Sequence, residues 1–241
     1  MNSRIRDIPI RCSREVDLTK KATIFTLSDC ILHAAGEDAD QIGFGVRELQ
    51  RKNMTWVLSR MAVEVYRFPE EYERYTIGTW VGEISRLMTT RNFVVHDADD
   101  RRIAAASTCW AMIDMQSRLP LDLREERGLQ PGADFRTVSR RQTAENRAGG
   151  WTIGRRPPGA VPRRRLQSTY QYDEVYPVDD RYVAAGAFDR RTMKRLDINF
   201  IHETRYGQQV QVYYEEGECG DRFEVRLMPE GTTACRQFSV E

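Results

Sequence analysis

The chain has 241 residues, 40% of them hydrophobic and 30% charged, a balance that allows a buried core and excludes a disordered or collagen-like chain. A formal net charge of +1 excludes a global field for nucleic acid or an anionic membrane, so any basic docking surface must be local. Apolar runs are only a few residues long, far short of the roughly 20 needed to span a bilayer, and the N-terminal MNSRIRDIPIRCS lacks the apolar stretch of a secretory signal.

Residues 9–16 read as a first strand. Thr26 to Ala39 reads as a helix with Leu27, Ile31, Ala34 and Ala35 on one face, Ser28 or Thr26 as N-cap, and an end near Gly43 and Gly45. Strands are predicted over residues 55–66, 75–84, 88–96 and 103–114, with the acidic turn Asp97 to Asp100 closing a hairpin. Strand, buried helix and a four-strand antiparallel meander make an α+β pattern in which the sheet wraps the helix, with 103–114 as a central strand. From Pro120 to Arg165 the pattern is lost, apart from a short helix over 121–128. RRPPGAVPRRR at 155–165 is too rich in proline for regular structure and reads as a solvated connector. A second unit follows, with a strand over 166–172, a short helix over 182–188, and strands over 196–202, 208–215, 222–228 and 235–240. The expected divisions are 1–119, a connector 120–165, and 166–241.

The second unit echoes the first. Ser59 to Pro69, SRMAVEVYRFP, aligns with Lys194 to Thr204, KRLDINFIHET, 135 residues further on. Met61, Val63 and Val65 match Leu196, Ile198 and Phe200, and Arg60 matches Arg195. Each copy continues into another alternating run, so one supersecondary unit is used twice. Only the second copy places an acid, Glu203, at the strand end, where the first has Phe68. A carboxylate beside an apolar wall is a usual place for acid/base chemistry, and an edge glutamate pointing into water is the plainer alternative. His202, next to it, points to the opposite face if the strand continues. Cys12, Cys30, Cys109, Cys219 and Cys235 form no CxxC pair, which suits reduced thiols in a cytoplasm. His33, His96 and His202 form no ligand-like pair, and no metal or cofactor is expected.

Several stretches taken together resemble the acyl-acyl-carrier-protein thioesterases of plants and bacteria. They are ILHAAGEDADQIGFG, TWVLSRMAVEVYRFPEEYE, Thr79-Trp80, RNFVVHDADDRRIAAASTCWAMID, RLPLDL and RLDINFIHETRYGQQV. The resemblance implies a tandem hot-dog fold with the acyl chain held in the first half and the catalytic residues in the second. It implies release of free fatty acid from acyl carrier protein by water; the scattered cysteines point to the cytoplasm, and the neutral charge balance and short apolar runs to no nucleic-acid or membrane partner. Association into a homodimer stays open.

Carried over residue by residue, the family's Asp-x-Asn-x-His motif falls on Asp173, with Val175 and Pro177 where Asn and His are expected. The family's following Glu falls on Glu203, and Thr204 stands where the plant enzymes have Cys. Neither Val175 nor Pro177 offers a side-chain hydrogen bond, which leaves Asp173 and Glu203 of the pattern. A degenerate site that binds acyl chains or acyl carrier protein without turnover, a further flexible segment before Arg181, and a rearranged cluster of Glu174, Asp179 and Asp180 all stay open. Leu27, Ile31, Ala35, Trp56, Leu58 and Trp110 are the candidates to line the acyl site, each with a plain core role as the alternative. Arg181, Arg190, Arg191, Lys194 and Arg205 are the candidates to meet the acidic carrier protein.

Overall fold

The computed structural model describes residues 6–11, 16–17, 19–126, 129, 193–205, 208–215 and 220–240. The chain falls into two compact units, Met1–Ser139 and Arg140–Glu241, and the division lies inside the stretch read as a connector.

The first unit contains strand β1 (Arg6–Arg11), helices α1 (Ile24–Gln41) and α2 (Val46–Arg51), and strands β2 (Met54–Val65), β3 (Arg74–Ile84), β4 (Thr89–Asp97) and β5 (Arg102–Asp114). Helix α1 begins earlier than expected because Thr23, in extended backbone geometry, caps it: its hydroxyl accepts the Thr26 N–H at 3.1 Å. Ser28 is instead buried within the helix. Removing the cap in Thr23→Ala is expected to cost about 1 kcal/mol of unfolding free energy, measured by urea denaturation. At the other end Gly43, with φ of +80°, takes the left-handed conformation that stops the helix. Ile24, Leu27, Ser28, Ile31, Ala34, Ala35 and Asp38 recur at three- and four-residue intervals and are the buried stripe.

The sheet of this unit runs β1-β3-β4-β5-β2, all antiparallel, with β5 in its interior as expected. It is not the simple meander expected from the sequence: β2 pairs with β5 rather than with β3. The chain between Val65 and Arg74 is too long for the tight two-residue turn that would fold β3 back beside β2. Its backbone bonds elsewhere, Ala22 N–H to Pro69 O and Glu71 N–H to Lys20 O, each at 2.8 Å. The β4–β5 turn follows the expected chemistry, with Asp97 Oδ1 accepting the Asp99 and Arg101 N–H groups at 3.0 and 2.9 Å. The segment Leu121 to Glu126, expected as helix, is a turn: Asp122 Oδ1 accepts the Arg124 N–H at 3.1 Å.

The second unit contains β6 (Arg195–Phe200), β7 (Gln209–Glu215), β8 (Asp221–Met228) and β9 (Thr233–Val240), in the order β6-β9-β8-β7. The expected strand at 166–172 and helix at 182–188 lie outside the described residues. Set beside the first unit, β6, β7, β8 and β9 repeat the order of β2, β3, β4 and β5, with β6 pairing to β9 as β2 does to β5. Side chains repeat as well. Val63 pairs with Ala106, which pairs with Phe93; Ile198 pairs with Gln237, which pairs with Phe223. The arginine match does not hold, since Arg60 is exposed and Arg195 is buried against Asp197. Its Nε and Nη2 reach the two carboxylate oxygens at 2.7 and 3.0 Å, a bidentate pair made possible by their two-residue spacing on one strand face.

Candidate functional site

β6 leads to the acid singled out in the sequence, but the strand ends at Phe200 rather than His202. The N–H groups of Ile201 and His202 both turn to the Ala234 carbonyl, at 2.8 and 3.1 Å. Beyond them the Arg205 N–H donates to Gln208 Oε1 at 2.6 Å. Glu203 thus stands on an exposed segment pinned on either side. His202 and Glu203 lie beyond the end of β6, so strand alternation does not apply to them, and both are exposed. Asp173, Glu174, Val175, Pro177, Asp179 and Asp180 lie outside the described residues, as do Arg181, Arg190 and Arg191. Lys194 and Arg205 are exposed near the two ends of this stretch.

The acyl-lining candidates all belong to the first unit, and they divide into two groups. Leu27 and Ile31 are fully buried and Ala35 nearly so, on the inner stripe of α1. Trp56, Leu58 and Trp110 are half-buried on the sheet. A bulge between Leu58 and Arg60 inserts Ser59. It brings Trp56 and Leu58 onto the same face as Met61, Val63 and Val65, as their partners Met112, Trp110, Thr108, Ala106 and Ala104 show. Trp56 packs against the cluster of Phe44, Leu49, Met112 and Leu123, and its Nε1 donates to Phe44 O at 2.9 Å. Trp110 Nε1 donates to Thr108 Oγ1 at 2.7 Å.

Between these groups lies an ion pair that sequence reasoning missed. Arg91 Nη1 donates to Asp38 Oδ2 of α1 at 2.6 Å and to Thr79 Oγ1 at 3.3 Å, and both charged residues are buried. A buried pair of this kind is retained only with good geometry, because each charge has lost its water. The available signal was an arginine at an inward position of β4, in step with Phe93 and Val95.

On the other face of the second unit, Glu224 is buried and accepts from Arg226 Nη2 at 2.7 Å, Thr233 Oγ1 at 2.5 Å and Arg236 at 3.3 Å. Burial opposes its charge. The hydrogen bonds from Arg226 and Thr233, with the positive charges of Arg226 and Arg236, outweigh that and hold the carboxyl below its ordinary 4.5. A carboxyl whose pKa is depressed by folding contributes stability that is complete above the unfolded value and is lost as pH falls through the folded one. Below pH 4.5 the wild type is therefore expected to lose stability more steeply than Glu224→Gln, as measured by thermal unfolding across an acid series.

The Cys235 thiol is pushed up to about 12 by burial, which leaves it unreactive at neutral pH. Cys30, Cys109 and Cys235 are not joined in disulfides. A polar surface hollow forms around Arg67, Glu73, Asp97 and Arg101. Its arginines are tied to its carboxylates, Arg67 to Glu73 at 2.6 Å and to Asp97 at 3.2 Å, and an alkyl chain gains nothing there. Among the described residues no cluster of three or more His, Cys, Asp or Glu side chains is arranged to hold a metal ion, and no helix is long and apolar enough to cross a membrane.

A family model described as the acyl-ACP thioesterase N-terminal domain matches residues 6–127. Among curated proteins, the chloroplastic oleoyl-acyl carrier protein thioesterase of Coriandrum sativum is 29% identical over 116 residues, which is 45% of this chain and 31% of that protein. A chloroplastic oleoyl-acyl carrier protein thioesterase of Arabidopsis thaliana is 27% identical over 113 residues, 44% of this chain and 31% of its own length. The chain thus spans about a third of the length of these relatives. Among solved structures, an acyl-ACP thioesterase from Bacteroides thetaiotaomicron is similar with a TM-score of 0.70 at 25% identity, covering 98% of this chain and 97% of that one. The 12:0-ACP thioesterase from Umbellularia californica shares the fold with a TM-score of 0.71 at 14% identity, over 98% and 96% of the two chains. The fold is accordingly the tandem hot dog implied by the sequence motifs.

Proposed function

We propose that this chain, which belongs to the acyl-ACP thioesterase family, hydrolyses the thioester of fatty acyl chains carried on acyl carrier protein, in the cytoplasm. In this reading residues 1–119 hold the acyl chain, 120–165 connect, and 166–241 carry the chemistry. The observation that carries it is Glu203, a water-accessible carboxylate on a segment pinned at both ends, inside the second-half motif RLDINFIHET. Near-complete coverage of the Bacteroides enzyme at 25% identity supports it.

Chemically, a carboxylate takes a proton from water and the water oxygen attacks the carbonyl carbon. The carbon–sulfur bond then breaks, and the carrier's sulfur leaves and gains a proton. Glu203 is assigned as the base and Asp173 as its partner in orienting water. Lys194 and Arg205 are the described candidates to meet the acidic carrier protein, and Leu27, Ile31, Ala35, Trp56, Leu58 and Trp110 are the candidates to face the acyl chain.

Val175 and Pro177 favour a second reading, a protein that holds acyl-ACP without turnover, because they supply no side-chain donor for the developing oxyanion. Incubating purified protein with a series of fatty acyl-ACP thioesters separates the two. Free fatty acid supports the enzyme, and stoichiometric binding with intact thioester supports the binding protein.

A further inference from the structure

The inner face of the first unit's sheet can be followed in rows, each two-residue step along a strand advancing about 6.7 Å. Val65, Ala104 and Val95 form one row, Val63, Ala106 and Phe93 the next. Met61, Thr108 and Arg91 form the third, then Leu58, Trp110 and Thr89. The first two rows are apolar and sealed, with Ala104, Ala106, Val63, Phe93 and Val95 at 0% exposure. The fourth is half-open at Leu58 and Trp110. The third row is polar: Thr108 Oγ1 donates to Arg91 O at 3.3 Å, and the Arg91 side chain crosses to Asp38 on α1 and to Thr79. One charged crossbar therefore separates the half-open Trp110 and Leu58 from the sealed apolar rows.

We propose that the Asp38–Arg91 pair is the chain-length stop of this protein, a specificity-determining device that ends the acyl site at the Trp110 row and so narrows the six acyl-lining candidates to Trp56, Leu58 and Trp110, with Leu27, Ile31 and Ala35 left in the sealed core. This rests on the proposed acyl-binding role of the first unit. An alkyl tail moving from Trp110 toward Phe93 has to part the pair or push one charge aside. Either leaves a buried charge without its partner, a cost that the tail's own apolar contacts do not offset. Chains long enough to reach the pair are disfavoured, and shorter ones are accommodated. The size of Ala104 and Ala106 beyond the crossbar is then irrelevant to the wild-type preference, while the size of Leu58 in front of it matters.

The test uses the full chain and a short-to-long series of saturated acyl-ACP thioesters. Replacing the pair by apolar side chains in the double variant Asp38→Leu, Arg91→Met is expected to raise kcat/KM for the longer chains over the shorter by roughly tenfold, the scale on which apolar pockets discriminate chain length. An unchanged profile in the folded double variant overturns the proposal. Should that variant not fold, two milder ones decide. Leu58→Phe shortens the preferred chain and Ala106→Val leaves the profile in place; the reverse pattern overturns the proposal. If the wild type hydrolyses none of the series, the hydrolytic reading fails on its own. The stop is then read by titrating the corresponding free fatty acids against tryptophan fluorescence, where equal affinity for long and short chains in wild type overturns it.

Discussion

Glu203→Ala is expected to lower hydrolysis of fatty acyl-ACP by about 10²–10⁴-fold, the usual contribution of a positioned acid/base group. The loss should fall on kcat, because the carboxylate acts on water in the transition state while the apolar residues of the first unit hold the substrate. Folding should be little affected: Glu203 is exposed, and substitutions at such positions usually stay within about 0.5 kcal/mol. The measurement is single-turnover release of fatty acid together with the melting temperature of the same preparation. Full activity in the variant removes Glu203 from the mechanism. A parallel collapse of activity and melting temperature assigns it a structural task instead.

Asp38→Ala is expected to be the most destabilising single change considered, at about 3–5 kcal/mol, because it strands the buried Arg91 guanidinium. Thr79 offers that guanidinium one neutral oxygen at 3.3 Å, too little to replace a carboxylate at 2.6 Å. The double variant with Leu at 38 and Met at 91 should recover most of the loss, since well-packed apolar side chains commonly replace a buried pair at little cost. Urea denaturation of the two variants beside the wild type measures both effects. A single variant as stable as the wild type means that water reaches Arg91 and that the pair is not sealed.

The parts of the fold that the sequence announces are those with a short period. Strand alternation places the eight strands β2 to β9 within about two residues, whereas the first strand, expected over 9–16, runs Arg6–Arg11; the three- and four-residue spacing of Leu27, Ile31, Ala34 and Ala35 places α1. Pairing is different, because alternation identifies a strand without naming its neighbour. The β2–β5 contact joins residues far apart in the chain, and only the length of the connection after Val65 argues against a tight hairpin. Caps and strand ends escaped for a related reason. Thr23, Thr26 and Ser28 are all plausible cap residues, and the choice among them is made by backbone geometry. The end of β6 at Phe200 is set by the Ala234 carbonyl accepting from two successive N–H groups, a tertiary event with no local signature.

For the candidate site, Glu203 stands out in the sequence because its counterpart in the first copy is Phe68. The charged pair across α1 and β4 does not stand out. Asp38 and Arg91 are ordinary surface residue types separated by 53 positions, and their burial follows from the register that sets Arg91 in line with Phe93 and Val95.

The pairing of β2 with β5, and of β6 with β9, has a consequence for how the protein is made. Leaving the ribosome at about 5–20 residues per second, β2 waits several seconds for β5, with Met61, Val63 and Val65 bare and the edge unclaimed. The β3–β4 hairpin assembles during that delay, and β6 later repeats the wait for β9. Nascent chains stalled just after Val65 should therefore be the ones that chaperones capture most readily, and those extended past Asp114 should escape them.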